Sequence, residues 1–448
     1  MTEIQGSRIP DKYTRLNDVE LASLYMEFEG GGRVDLKPLF VNMTFVEDLF
    51  MSSISGSLFI KDAVNLLNTF PITGHEIITI EFRTPGIDGD FKNFRFRVVG
   101  VSDRVRSDNE RVDVYKIKFV SEKAVINMSQ KISKSFTGKI SDIASDVYKT
   151  YFNDDLDALE TKNEYKFVFP TWNPYQCLEW LSKRAVPAKN ETESNYFFYE
   201  TLGGHRFYSA SELCSQQPKV SYYQLPVGNR IEESGPKNFG QEFLNVQDIR
   251  FIKTVEKMDE LMDGAFGSVL YQHDVTTKQW GRKVFDYFKD TSDIRRVADE
   301  KVTRSNTLYS KSPLAKVMLT TKQTGLMGKD YPTTQNHEDW LQQGISYRTL
   351  LNTTRVRIRV SGNSELQVGD VVNLYIPRTG SLDTSSTEWY DEKLSGKYII
   401  TTLRNSFTSN EYTTTLMLSK NGYENAVPDK STFMGTSDTD SSDLLERR

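Results

Sequence analysis

The sequence predicts an α+β protein that is mainly antiparallel β, with two similar small β-barrel domains and an α+β domain inserted between them. Three observations predict it. Short segments rich in β-branched and aromatic residues, separated by Gly, Pro and Asp, fill residues 1–125. At about residue 136 the apolar spacing becomes helical. From 353 to 420 the β pattern returns, in an order that repeats the first.

Strands are expected at GSLFIKD (56–62), EIITIEFRTPG (76–86), FRFRVVGVSDRV (94–105) and VDVYKIKFVS (112–121). In the last of these Tyr115, Ile117 and Phe119 alternate with Lys116 and Lys118, which gives one buried and one wet face of an antiparallel sheet. Ile140, Ile143, Ala144, Val147, Tyr148 and Tyr151 then form one helical stripe. A second helix starts at Asn173-Pro174, with Asn173 as N-cap and proline at the first position, where no N–H is needed. Its stripe is Leu178, Leu181 and Ala185, and it ends before Pro187. Trp180 lies off that stripe, so Trp172 and Trp180 are candidate interface residues. NYFFYETLGGHRFYSA (195–210) reads as an aromatic hairpin turning at Gly203-Gly204.

Between 241 and 345 the pattern alternates strands with helical turns, and WLQQGISYRTLLNTTRVRIRVSG reads as a helix running into a strand. The expected division is 1–125 for the first barrel and 126–240 for the α+β domain, continuing in part through 276–345. The second barrel is discontinuous, 241–275 and 346–425, and 426–448 is a polar Ser/Thr/Asp-rich tail.

The repeat sets TGHEIITIEFRTPG (73–86) beside VGDVVNLYIPRTG (368–380). Gly74 then matches Gly369, Ile77 matches Val372, Ile80 matches Tyr375 and Arg83 matches Arg378. FRFRVVGVSDR is followed by VYKIKFVSE in one copy, and GKYIITTLRNSF by YTTTLMLSK in the other. Gly74, Gly369 and Gly396 are expected in turns, because glycine tolerates positive φ. Asp370 is expected to bond the backbone of its own turn. A chain with two similar domains can close a ring of three copies that presents six similar units.

The chain has 448 residues, net charge −5, 38% hydrophobic and 26% charged residues, which suits a folded domain protein. It carries no dense Lys/Arg block, so stable nucleic-acid binding has no electrostatic footprint. Apolar runs are too short to insert in a membrane. The opening MTEIQGSRIPDKY lacks the apolar core of a secretion signal, so synthesis and folding in a cytoplasm are expected. Cys177 and Cys214 read as reduced, buried thiols. His75, His205, His273 and His337 do not lie at metal-binding spacings, and His337-Glu338-Asp339 reads as a solvated turn. Gly30-Gly31-Gly32 reads as a hairpin turn and Asp88-Gly89-Asp90 as an acidic loop, short of a calcium site. No catalytic, cofactor-binding or metal residue is expected.

Three stretches carry a family resemblance. They are 94–152 (FRFRVVGVSDRV to DVYKTYF), FVFPTWNPYQCLEWLSKRAV (167–186), and SGNSELQVGDVVNLYIPR with LSGKYIITTLRNSFTSNEYTTTLMLSK (361–378 and 394–420). Together they resemble the baseplate hub proteins of contractile-tailed, T-even-like bacteriophages. The resemblance implies a non-enzymatic structural protein of the virion, sited in the tail baseplate and assembled in the host cytoplasm. It implies a homotrimer whose two β-barrels are tail-tube-like, joining the six-fold tail tube to the three-fold central spike. Other baseplate proteins would surround it and DNA would pass through its channel, where an acidic wall would repel phosphates. Two other readings are a tail-associated cell-wall hydrolase and a carbohydrate-binding β-module. They rest on Trp172, Trp180, Trp280, Trp340 and Trp389 and on carboxylates that sequence alone does not pair.

Overall fold

The computed structural model describes residues 16–87, 89–106, 112–162, 164–189, 193–224, 242–254, 257–292, 294–298, 316–328, 336–378 and 390–423. The N-terminal β block comprises β1 (Glu20–Glu27), β2 (Arg33–Asp35), β3 (Phe40–Asp48), β4 (Ser55–Asp62), the short α1 (Leu66–Thr69), β5 (Ile77–Arg83), β6 (Lys92–Arg106) and β7 (Asp113–Ser121). An α+β unit follows: α2 (Glu122–Ser129), β8 (Ser135–Lys139), α3 (Ile140–Phe152), β9 (Asp157–Ala158), β10 (Glu164–Val168), α4 (Pro174–Ser182), β11 (Tyr196–Thr201), β12 (Gly204–Ser209) and α5 (Ala210–Cys214). Next come β13 (Ser221–Tyr223), β14 (Asp248–Lys253), α6 (Lys257–Met262), β15 (Gly267–Asp274), β16 (Gln279–Asp286), α7 (Tyr287–Asp290) and β17 (Lys316–Lys322). A 3-10 turn (His337–Asp339) leads into α8 (Leu341–Leu351), β18 (Thr354–Ser361), β19 (Val371–Tyr375), β20 (Gly396–Thr408) and β21 (Tyr412–Lys420).

Among the described residues one 13-stranded sheet runs through the molecule. Its two halves have the same strand order, β3-β4-β7-β6-β5-β1 in one and β14-β18-β21-β20-β19-β13 in the other. The β6–β7 ladder shifts register between Val98 and Gly100, and the β20–β21 ladder shifts at the equivalent place, between Ile400 and Thr402. A bulge of this kind bends the strand and raises its twist, so both halves curve at one position. The halves differ at one edge: β1 lies antiparallel to β5, whereas β13 lies parallel to β19.

Three sequence expectations change. The two small barrels are not seen: among the described residues neither half closes on itself, and β20 pairs with β3 to merge both into one sheet. Ser221–Tyr223, assigned by sequence to the α+β domain, joins the large sheet, while Gly267–Asp274, assigned to the second barrel, pairs with β16 and β17 in a separate three-stranded sheet. The glycine-anchored match of the repeats is also one residue off. Ile77 faces Arg97 and Val371 faces Ile399, each beside its bulge, so Ile77 corresponds to Val371 and Ile80 to Leu374. The first turn holds one more residue between its glycine and the strand.

The core follows these elements. Leu24, Met43, Phe45, Phe82, Phe96 and Phe119 fill the N-terminal block, and Phe407 and Tyr412 of the C-terminal block are buried with them. On α3, Ile140, Ile143, Ala144, Val147 and Tyr148 are buried on one stripe, against Cys177, Leu178 and Leu181 of α4. Asn173 is the N-cap of α4, in a capping box with Gln176 and with proline at the start of the helix. Gln176 Oε1 accepts from the Asn173 N–H at 3.3 Å, and Asn127 Oδ1 accepts from the Tyr175 N–H at 2.8 Å. Leu213, Tyr222, Tyr347, Val356, Leu374 and Leu416 belong to a third cluster under the C-terminal block.

Candidate functional site

The seam between the two halves concentrates the unusual residues. Gly369 has φ +89°, and a Cβ there would lie 2.9 Å from Tyr199 Oη and 3.3 Å from Leu213 Cδ2. Its N–H donates to Ile400 O at 2.9 Å, and the Ile400 N–H donates to Asp370 O at 2.9 Å. Asp370 Oδ2 accepts from the Gln367 N–H at 2.8 Å and pairs with Lys219 at 2.8 Å. Gly74 (φ +96°) and Gly396 (φ +119°) also sit in the left-handed region, and the Gly74 N–H donates to Glu76 Oε2 at 2.8 Å.

Next to the Gly369 turn, Glu47 points inward from β3, fully buried. Its Oε2 accepts from the Val368 N–H at 3.4 Å. Loss of water raises its pKa to about 8, and the nearby Asp370 and Glu200 carboxylates add to the effect. Glu200, on β11, accepts from the Ile54 N–H at 2.8 Å, and burial raises it to about 7.

His205 on β12 ties the α+β unit to the N-terminal block. Lys123 Nζ donates to Tyr148 Oη at 2.8 Å, and Tyr148 Oη lies 2.8 Å from His205 Nδ1. His205 Nε2 reaches Ser52 O at 2.9 Å. A carbonyl only accepts, so Nε2 carries the proton and Nδ1 accepts from the Tyr148 hydroxyl. Burial lowers the His205 pKa to about 3, so the ring is neutral and its 3.6 Å approach to Glu200 is not an ion pair. Ser52 Oγ donates to Glu179 Oε1 on α4 at 2.5 Å.

Trp172 and Trp180 lie together, ring centroids 6.1 Å apart, half-buried beside Phe167 and Phe169. The Arg184 guanidinium stacks 4.0 Å over Trp180 and 4.8 Å from the Trp340 ring, linking α4 to the segment before α8. Its burial lowers the Arg184 pKa to about 10.

The other candidates stay apart. Gly30-Gly31-Gly32 forms the β1–β2 turn, where the Phe28 N–H donates to Gly32 O at 2.8 Å. His273 stacks on Trp280 at 4.6 Å, and His337 Nδ1 lies 3.2 Å from Gln272 Nε2. No group of three metal-ligating side chains occurs among the described residues. Cys177 and Cys214 are buried free thiols, each pushed up to about 12 by burial. Asp88, Trp389 and the tail at 426–448 lie outside the described residues. Sequence reasoning missed Glu47 and Glu200, although the period of two in FVNMTFVED puts Glu47 on the inward face of Met43 and Phe45.

No family model matches the chain. A probable baseplate hub protein, gp334 of Vibrio phage KVP40, is 22% identical over 390 residues, covering 83% of this chain and 88% of that protein. Over most of its length the chain is similar to a phage baseplate hub protein. Two solved structures share the fold of this chain, mostly antiparallel β with helices. A tail protein from Neisseria meningitidis MC58 aligns with a TM-score of 0.52 at 10% identity, over 90% of this chain and 97% of its own. The 43 kDa tail protein of prophage MuSo2 from Shewanella oneidensis aligns with 0.51 at 12% identity, over 90% and 98%. Among the described residues no helix is long and apolar enough to cross a membrane.

Proposed function

We propose that this chain is the central hub of a contractile-tail baseplate. Three copies form a ring, each giving two tail-tube-like domains, so the ring offers six similar units to the six-fold tail tube and three identical chains to the central spike. It is assembled in the host cytoplasm, other baseplate proteins dock around it, and DNA leaves through its channel. The observation that carries this reading is the shared ladder order and shared bulge of the two halves. Two such halves in one chain let a three-fold object meet a six-fold one. The net charge of −5 suits a channel that passes nucleic acid without holding it.

The mass of the purified protein, by light scattering or native mass spectrometry, tests it. A three-chain mass is expected, and a monomer persisting at high concentration overturns the reading. The protein alone is expected to leave a peptidoglycan zymogram uncleared.

A further inference from the structure

We infer that neighbouring copies join through β14 of one chain and the second half of β6 of the next, in the register that β3 and β20 use within the chain. The inference rests on the ring reading above and names the contact that closes it.

Inside the chain, β3 is flanked by β4 on one side and β20 on the other. Its counterpart β14 has β18 on the side equivalent to β4, and no strand lies on its other side among the described residues. On the opposite partner, β20 uses Thr402–Thr408 to hold β3. The equivalent part of β6 begins at Gly100. It carries β7 on one side, while β5 reaches only as far as Arg97, so the other side has no strand among the described residues. Each half therefore keeps the edge that the other half has filled.

Burial at matching positions points the same way. Phe45 of β3 is fully buried, with Phe407 stacked on it at 5.7 Å, whereas its equivalent Phe251 on β14 is 39% exposed. Val101 and Val105 on the bare half of β6 are 37% and 63% exposed. A sheet edge left uncovered is a template for pairing with another chain, and here the two edges fit the two sides of one known ladder. Because the edges differ, they join head to tail, as a closed ring requires.

The register follows by transfer. Thr44 faces Ser406 and Met43 faces Phe407 in the internal contact. The ladders make Arg250 and Ile249 equivalent to Thr44 and Met43, and, counted past the extra bulge of β6 between Ser102 and Val105, Val105 and Arg106 equivalent to Ser406 and Phe407. Across the copies, Arg250 therefore faces Val105, and Ile249 faces Arg106.

Facing residues in an antiparallel pair lie about 4.5–5.5 Å apart at Cα, within disulfide reach. The full-length double variant Arg250→Cys/Val105→Cys, mildly oxidised, is expected to give reducible cross-linked species up to three chains on a non-reducing gel. Both native cysteines are buried and stay out of the reaction. Neither single variant should cross-link, and the displaced pair Arg250→Cys/Val101→Cys should do so at most a tenth as well. In a second measurement, Phe251→Asp is expected to raise the concentration for half-assembly about tenfold. Met258→Asp, on α6 and 69% exposed against 39% for Phe251, should leave it unchanged. A three-chain mass without the specific cross-link overturns this contact and leaves the ring reading standing. Cross-linking by either single variant also overturns it, because it reports a two-fold contact. A monomeric parent overturns the ring reading and this contact together.

Discussion

At Gly369 a side chain meets two obstacles. The backbone is in the left-handed region, and Tyr199 Oη stands 2.9 Å from where Cβ would be. A β-branched residue there strains the backbone by about 1–3 kcal/mol before the clash is counted. Gly369→Val is therefore expected to lower the urea midpoint markedly. Gly74→Ala, whose nearest neighbour would be Val98 O at 3.9 Å, should lose only the backbone part. Equal losses in the two variants would contradict the role of Tyr199. Glu47 makes the other residue-scale prediction. Its pKa is raised from 4.5 to about 8 in the folded protein, so the folded state favours the protonated form. That preference stabilises fully below the unfolded value and is lost as pH rises through about 8, at up to about 1.4 kcal/mol per pH unit. Glu47→Gln should match the parent near pH 4 and exceed its stability at pH 9, as read by urea titration at both pH values. Glu200, raised to about 7, adds loss of the same sign. The turn glycines were legible because their chemistry is local. The partners of Glu47 were not, because Val368 is 321 residues away.

Amphipathic elements were legible when their own period decided them. The α3 stripe and the alternation in β7 recur in the structure as buried and exposed faces. Allocation between sheets was not legible: the β15 pattern suits either sheet, and the three residues of β13 give no period at all. The single-residue slip between the repeats has a similar origin, since a turn glycine marks a turn and says nothing of its length. The element that matters most for cohesion is the end of β20. Phe407 lies 4.9 Å from Phe82 and 4.4 Å from Tyr412, inside the core of the other half. Phe407→Ala is expected to cost about 3–5 kcal/mol, the usual range for a buried phenylalanine. A double-mutant cycle with Phe45→Ala should show coupling of about 0.5–1.5 kcal/mol. Additive effects would mean that the two rings do not stabilise each other.

Across the whole molecule, the β3–β20 ladder makes one sheet of what the sequence presents as two. Thr402 Oγ1 donates to Asp48 Oδ2 at 2.9 Å across 354 residues, a pairing that no local pattern announces. Unfolding of the chain should therefore be a single event. Far-UV circular dichroism, which follows the sheet, and the fluorescence of the five tryptophans, Trp172, Trp180 and Trp340 among them, are expected to change together. An early split in the parent would show that the α+β unit, which holds Trp172 and Trp180, melts apart from the sheet. The seam also has a consequence for dilution. A ladder formed within one chain does not obey mass action, whereas one formed between chains does. Thinning out an assembly of these chains can break only the second kind, so every fragment released carries both halves already paired, and a lone half never enters the equilibrium.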